Sequence, residues 1–278
     1  MKINKNIISK IGSPKIFVFV IMWLIFLVFV GTIAQRDNGL YLVQKEYFYS
    51  WIKWFGPIPT PSAKLSMLVI FVNLSCYFFK SGIWKLKKIG ITITHCGVML
   101  ILIGSALTYL FSVEGNMIID EGNRSNYFEN YYTKEFAIIN TSNPEYDYYT
   151  IFDESLLSIN NNLVHSSIPF EIRVIDYFIN SKPINVSKLS TRDGNFKGMA
   201  KNFYLQELVS EKDYEHNRPG IIYELSGLND NSKNGIHILF FGQSIPSTLT
   251  VNNEKYEFVL RPHRTYLPFE IELIDFKK

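Results

Sequence analysis

Residues Ile89 to Phe111, IGITITHCGVMLILIGSALTYLF, form an apolar run without a single charged side chain. Backbone N–H and C=O groups in hydrocarbon must be satisfied within the segment, which confines such a run to a helix. At ~1.5 Å per residue it reaches about 34 Å, enough for a bilayer core of roughly 30 Å. Two further apolar stretches precede it, Ile16 to about Ala34 and Leu65 to Phe79, the second short and in need of flanking residues to cross. The expected membrane domain is therefore residues 1–111, with helices near 16–34, 63–80 and 89–111.

The lysines give the expected sidedness. Lys2, Lys5, Lys10 and Lys15 precede the first run, and Lys80, Lys85, Lys87 and Lys88 crowd the connection between the second and third. Positive loops stay in the cytoplasm, so three crossings would leave residues 112–278 outside. A basic start followed by an apolar core also describes a signal peptide. This core is longer than usual, and Gly31-Thr32-Ile33-Ala34-Gln35 is a poor cleavage sequence, so an uncleaved helix is expected.

From Val113 onward the chain reads as strands rich in Ile, Val, Phe and Tyr, bounded by Asn, Gly, Asp and Pro. The expected strands are Met117–Asp120, Glu135–Asn140, Phe170–Phe178, Phe203–Val209, Ile221–Leu225, Ile236–Phe241, Tyr256–Leu260 and Phe269–Phe276. Asp193-Gly194 and Asn252-Asn253 suit tight turns, and only Tyr204 to Lys212 is ambiguous with a helix. The fold class is an α-helical membrane part plus an all-β domain, a sandwich or barrel. One internal echo stands out. Pro169-Phe-Glu-Ile-Arg-Val-Ile-Asp-Tyr177 and Pro268-Phe-Glu-Ile-Glu-Leu-Ile-Asp-Phe276 agree at six of nine positions. Duplicated β subdomains and a chance likeness between strands both remain open. The second copy is followed only by Lys277 and Lys278, so the β domain is expected to be incomplete at the C-terminus.

Several chemistries are absent. There is no Gly-rich phosphate loop, nucleophile elbow, Cys-x-x-Cys or His-x-x-x-His. A net charge of +3, with no basic patch interleaved with aromatics, does not point to nucleic acid. Both cysteines, Cys76 and Cys96, lie in apolar segments, so the β domain has no disulfide. His165, His216, His237 and His263 are dispersed and read as surface or turn residues. Asp120-Glu121 and Asp153-Glu154 read as polar strand ends.

His95 is the exception. It sits about six residues into the third run, roughly 9 Å from its cytoplasmic end. Titratable side chains in hydrocarbon are costly and face a partner, a cavity or a cofactor. Neutral imidazole is a common metal ligand, heme iron included, and it also hydrogen-bonds neighbouring helices. Gly90, Thr92, Thr94 and Gly97 around it are small enough to admit either. Cys96 points about 100° away and would not share an ion with it.

The sequence resembles the ResB (CcsB) family of system II cytochrome c biogenesis. The likeness rests on Gly31-Thr-Ile-Ala-Gln35, on Tyr47-Phe-Tyr-Ser-Trp51 followed by Pro57-Ile-Pro, and on Asn73-Leu74. It continues through His95-Cys-Gly-Val-Met-Leu-Ile-Leu-Ile-Gly104, Glu114-Gly-Asn-Met-Ile-Ile-Asp-Glu-Gly122 and the Pro-Phe-x-Ile-x-x-Ile-Asp strands. The resemblance implies a component that, with a CcsA (ResC) partner, exports heme b and presents it to apocytochrome c for attachment at Cys-x-x-Cys-His. It implies His95 as an axial ligand to the heme iron, with the second ligand on the partner. It also implies a thioredoxin-like thiol reductase nearby and no catalysis by this chain alone, only a share in a cytochrome c synthetase complex. The expected location is the bacterial inner membrane with a periplasmic β domain, a thylakoid membrane being the other setting with this topology. Family members usually carry a fourth transmembrane helix after the β domain, which this sequence lacks, so it resembles an N-terminal portion. Two other readings compete. One is an anchored β-domain receptor or scaffold without heme, for which His95 would be replaceable. The other is a proton-relaying membrane enzyme, which wants an Asp or Glu that none of the three runs contains.

Overall fold

The computed structural model describes residues 5–80, 88–186 and 194–277. Lys2, Lys85, Lys87, Asp193 and Lys278, invoked above, lie outside the described residues. The chain divides into two compact units, Met1–Val113 with Lys212–Tyr214, and Glu114–Glu211 with Glu215–Lys278.

The first unit is helical. Helix α1 (Lys5–Ile11) ends at Gly12, and Ser13 opens α2 (Pro14–Asn38), with its hydroxyl accepting from Lys15 N and Pro14 at the first helical position. A short helix α3 (Leu40–Val43) runs into a π-helical turn, Gln44–Tyr49. Strands β1 (Ile52–Phe55) and β2 (Ile58–Pro61) then make a small antiparallel hairpin. Helix α4 (Ala63–Lys80) and helix α5 (Ile89–Phe111) complete the unit. α2 and α5 are long and apolar enough to cross a membrane, whereas the apolar part of α4, Ala63–Phe78, is shorter. Leu27, Val43 and Tyr47 form a small core that ties α2 to the segment after it, and Trp23 Nε1 donates to Pro61 O at 2.8 Å.

The second unit is mostly β. Its strands are β3 (Gly115–Asn116), β4 (Arg124–Asn140), β5 (Tyr148–Asp153), β6 (Asn162–Leu163), β7 (Glu171–Phe178), β8 (Ser181–Asn185), β9 (Phe203–Glu207), β10 (Gly220–Ser226), β11 (Gly235–Phe240), β12 (Ser247–Val251) and β13 (Glu254–Glu272). All named pairings are antiparallel: β11-β10-β7-β6 in one sheet, β12-β13-β4-β3 with β5 beside β4 in another, and β8-β9 as a pair. The two larger sheets share one core. Phe136, Ile138, Tyr256, Phe258 and Leu260 of one pack with Ile172, Val174, Ile221, Tyr223 and Leu225 of the other. That is sandwich packing, in which alternate side chains of each strand face inward.

Several expectations are corrected. Met117–Asp120 is not a strand, since the pairing there stops at Asn116. Phe203–Val209 ends as a strand at Glu207. The two expected strands Tyr256–Leu260 and Phe269–Phe276 are joined in β13, which runs on to Glu272 along β4 with bulges after Pro262 and Tyr266. β4 likewise begins at Arg124, eleven residues before the apolar stretch that signalled it. Its first half, SNYFENYYT, lacks inward apolar alternation because no second sheet covers it as it does Phe136–Ile138. Asn252 and Asn253 form the expected turn, both with positive φ (51° and 64°), the backbone that a two-residue hairpin requires.

Candidate functional site

His95 lies in the second turn of α5, with its Nδ1 2.8 Å from Ile91 O, one turn back. A carbonyl oxygen only accepts, so Nδ1 carries the hydrogen and Nε2 keeps its lone pair. Among the described residues Nε2 has no hydrogen-bond partner. A ring whose one nitrogen donates to a carbonyl is held in one tautomer and one orientation, the arrangement of an imidazole ligand.

The ring is held from α4. Tyr77 stacks on it with centroids 5.2 Å apart and planes at 18°, and Phe78 meets it edge-on at 6.1 Å and 90°. Leu74, Phe78, Tyr77, Cys96 and Met99 make the surrounding apolar cluster. Cys96 is thus committed to packing. Thr92 Oγ1 donates to Lys88 O at 3.2 Å and Thr94 Oγ1 to Gly90 O at 3.0 Å, so both hydroxyls turn back onto their own helix.

That α4 turn has its own support, which sequence reading missed. The break between α1 and α2 frees carbonyls, and buried Asn73 donates to two of them, Ser13 O at 3.0 Å and Ile11 O. At the break the backbones nearly touch. A Cβ added to Gly12 would lie 2.7 Å from Tyr77 N and 2.9 Å from Cys76 C, a distance only glycine permits. The signals were present as a lone Asn within an apolar run and a Gly just before Ser-Pro, but neither names its partner.

The other end of the same helix pair is polar and aromatic. Lys64 Nζ, in the first turn of α4, donates to Tyr109 OH at 3.0 Å near the end of α5. It lies 4.4 Å over the Trp51 ring and 4.5 Å over that of Tyr109. Contacts at Lys64–Tyr109 and at Tyr77–His95 mean that α4 and α5 run antiparallel, side by side, over some 14 residues of each, or about 21 Å.

The rest of α5 is bare. Cβ atoms added at Gly90, Gly97 or Gly104 would meet nothing within 4 Å, and Ile93, Leu100, Ile101 and Leu110 are exposed. These glycines serve no packing among the described residues. They lie about 140–180° around the helix from His95 and leave a smooth strip on the opposite face that can admit another helix.

Elsewhere, no group of three or more His, Cys, Asp or Glu gathers among the described residues. His165 Nδ1 is 2.7 Å from Ser167 Oγ in a turn, and His216 ends a short 3-10 turn. His237 stacks on buried Tyr223 at 5.6 Å, and its Nε2 lies 3.3 Å from Lys233 O. Burial lowers its pKa, the hydrogen bond to Lys233 opposes this, and the Lys197 charge adds to the lowering. His263 is the histidine whose setting the sequence did not foresee. It occupies a bulge, with Nδ1 3.0 Å from Glu135 Oε2 and 3.5 Å from Asp153 Oδ1. Glu135 is wholly buried and also accepts from Arg261 Nε at 2.7 Å and from Arg264 N at 3.2 Å.

Compared with family models and with curated proteins, the chain matches none of either.

Proposed function

We propose that this chain is the membrane component of a system II cytochrome c maturation machinery, with His95 as an axial ligand to heme b. The observation that carries the reading is the fixed tautomer of His95. In a segment where polar groups are costly, its Nδ1–H is spent on Ile91 O and its Nε2 lone pair is left over. A plain helix-bridging histidine would spend that nitrogen on a neighbour. The donor set fits an axial ligand, and the aromatic rings of Tyr77 and Phe78 fit a flat apolar macrocycle beside it.

Each residue then has a part. His95 ligates, Ile91 O fixes its tautomer, and Tyr77 with Phe78 set the ring plane. Asn73 and Gly12 hold the α4 turn that carries those two rings. A heme b held there supplies the vinyl groups that thioether attachment to Cys-x-x-Cys-His of apocytochrome c consumes. The second axial ligand belongs to a CcsA/ResC-type partner.

α4 is the third crossing in this reading. Its apolar part is short, but it keeps pace with α5 for about 21 Å and ends at Lys64, Trp51 and Tyr109, side chains suited to a membrane–water interface. Lysines before α2 and beside α5 put those ends in the cytoplasm and the β unit in the periplasm of a bacterial inner membrane. In cells making the chain with its partner, His95→Ala should abolish covalent cytochrome c formation, and external imidazole should restore part of it. Full maturation with His95→Ala would refute the role.

A further inference from the structure

The β1–β2 hairpin turns its polar side chains inward. A half-solvated antiparallel pair ordinarily does the reverse, with apolar side chains on the core and polar ones in water. Here Lys53, Phe55 and Thr60 take the inner face. Phe55 packs against Tyr47 and Phe26, with ring centroids 5.9 and 6.4 Å apart. Lys53 lies 4.3 Å over the Tyr47 ring and pairs with Glu46, and Thr60 Oγ1 donates to Lys53 O at 2.7 Å. Alternation then puts Ile52 and Trp54 on the outer face, opposite Pro61 and Pro59 of β2. All four are exposed, Ile52 at 49% and Trp54 at 59%.

The free edge of β2 is short of donors. Ser62 N donates to Trp51 O, so the pairs Ile52–Pro61 and Trp54–Pro59 are the ones whose backbone groups point away from the partner strand. On β2 both positions are prolines, which carry no N–H. Of their two carbonyls, Pro61 O already accepts from Trp23 Nε1. Such an edge loses little on leaving water. Proline on an edge also deters strand addition, but a hairpin built for that alone would keep a polar outer face.

The neighbouring helices call for lipid at the same place. α2 meets the hairpin at Trp23 and Phe26 and carries no charged residue until Arg36. Phe29 and Ile33 share a helix face with Phe26 and are 64% and 56% exposed. α4 starts directly after the hairpin, and its apolar part, Ala63–Phe78, reaches about 24 Å at ~1.5 Å per residue. That is about 6 Å less than a roughly 30 Å hydrocarbon core.

We propose that the outer face of the hairpin, Ile52, Trp54, Pro59 and Pro61, lies in the outer leaflet at the boundary of acyl chains and headgroups, completing the short crossing made by α4. Trp suits that depth, with its ring among acyl chains and its N–H toward water. Immersing Ile52 and Trp54 fixes the depth of the start of α4, and with it that of the α4–α5 pair. The proposal rests on the reading of α4 as a membrane crossing and not on heme ligation by His95.

The test uses the full chain with Cys76 and Cys96 changed to Ser, reconstituted in phosphatidylcholine nanodiscs with one nitroxide label at a time. The labels go at Trp54→Cys, at Val72→Cys midway along α4, and at Ser158→Cys in the β unit. Collisions with oxygen, which concentrates in lipid, are compared with collisions with a water-soluble nickel chelate. At Trp54→Cys the oxygen-to-nickel ratio should be at least about threefold that at Ser158→Cys, and below that at Val72→Cys. A ratio at Trp54→Cys equal to that at Ser158→Cys, with Val72→Cys high, overturns the hairpin proposal alone. A water-like ratio at Val72→Cys overturns the crossing by α4 and the proposal with it. A Trp54→Cys label shielded from both reagents also overturns it, since protein rather than lipid would then cover the face.

Discussion

Glu135 shows what a single buried side chain does in the β unit. Its carboxylate lies directly across β4–β13 from Arg261, accepts from Arg261 Nε and Arg264 N, and touches His263. Glu135→Ala would leave the Arg261 guanidinium buried without its charge partner, and Arg261 Nη2 already lacks a hydrogen-bond partner among the described residues. Removing one member of such a pair costs about 3–5 kcal/mol, to be read as a lower denaturant midpoint. His237 supplies the pH dependence. Its pKa is lowered on folding, so the unfolded chain binds the proton first. The stability it contributes is complete above about pH 6.5 and is lost as pH falls through that value toward the lower folded pKa. Urea titrations of wild type and His237→Gln across pH 5 to 8 should show the slope in wild type and a flatter dependence in the variant. At the membrane site, Gly12→Leu forces the α1–α2 break away from Cys76 and Tyr77. It should lower heme retention several-fold although it lies far from α5 in sequence, to be read as the heme-to-protein ratio of the purified complex.

Among the elements, the pair β7 and β13 separates what a pattern specifies from what its surroundings specify. The Glu-Ile of the motif is strand in both places, because β-branched and aromatic alternation suits an extended backbone wherever it falls. Its burial is decided elsewhere, by β6, β10 and the facing sheet for the first copy. Ile172→Ala should therefore cost about 2–5 kcal/mol, and Ile271→Ala no more than about 0.5 kcal/mol, as measured by chemical denaturation. Equal costs would mean that both copies are core. The same logic explains what the sequence left unread. Helices α2, α4 and α5 were legible from apolar runs, and the Asn252-Asn253 turn from its chemistry. The first half of β4 was not, because Tyr and Asn alternate there without an inward face to bury. β6 and β8 were not, because two to five residues carry too little pattern. His95 was legible as an isolated polar group in an apolar run. Its support from Tyr77, Asn73 and Gly12 was not, because contacts across 18 to 65 residues leave no trace in local spacing.

Over the whole molecule, a helical unit with two bilayer-length helices is joined at Val113–Glu114 to a β unit of antiparallel sheets. The proposed sidedness is open to a direct check. In a chain with Cys76 and Cys96 changed to Ser, a membrane-impermeant thiol reagent should label Ser158→Cys on intact spheroplasts, and Lys88→Cys only after permeabilisation. The opposite pattern would reverse the topology and place His95 nearer the outer surface. The central claim, however, is ligation. The measurement that tests it most directly is the absorption spectrum and heme content of the chain purified with its CcsA-type partner, wild type against His95→Ala. The account predicts stoichiometric heme b with a six-coordinate spectrum in wild type. In the variant heme should be lost or turned five-coordinate, and imidazole should restore the wild-type bands. Unchanged heme content and spectrum in His95→Ala would contradict it.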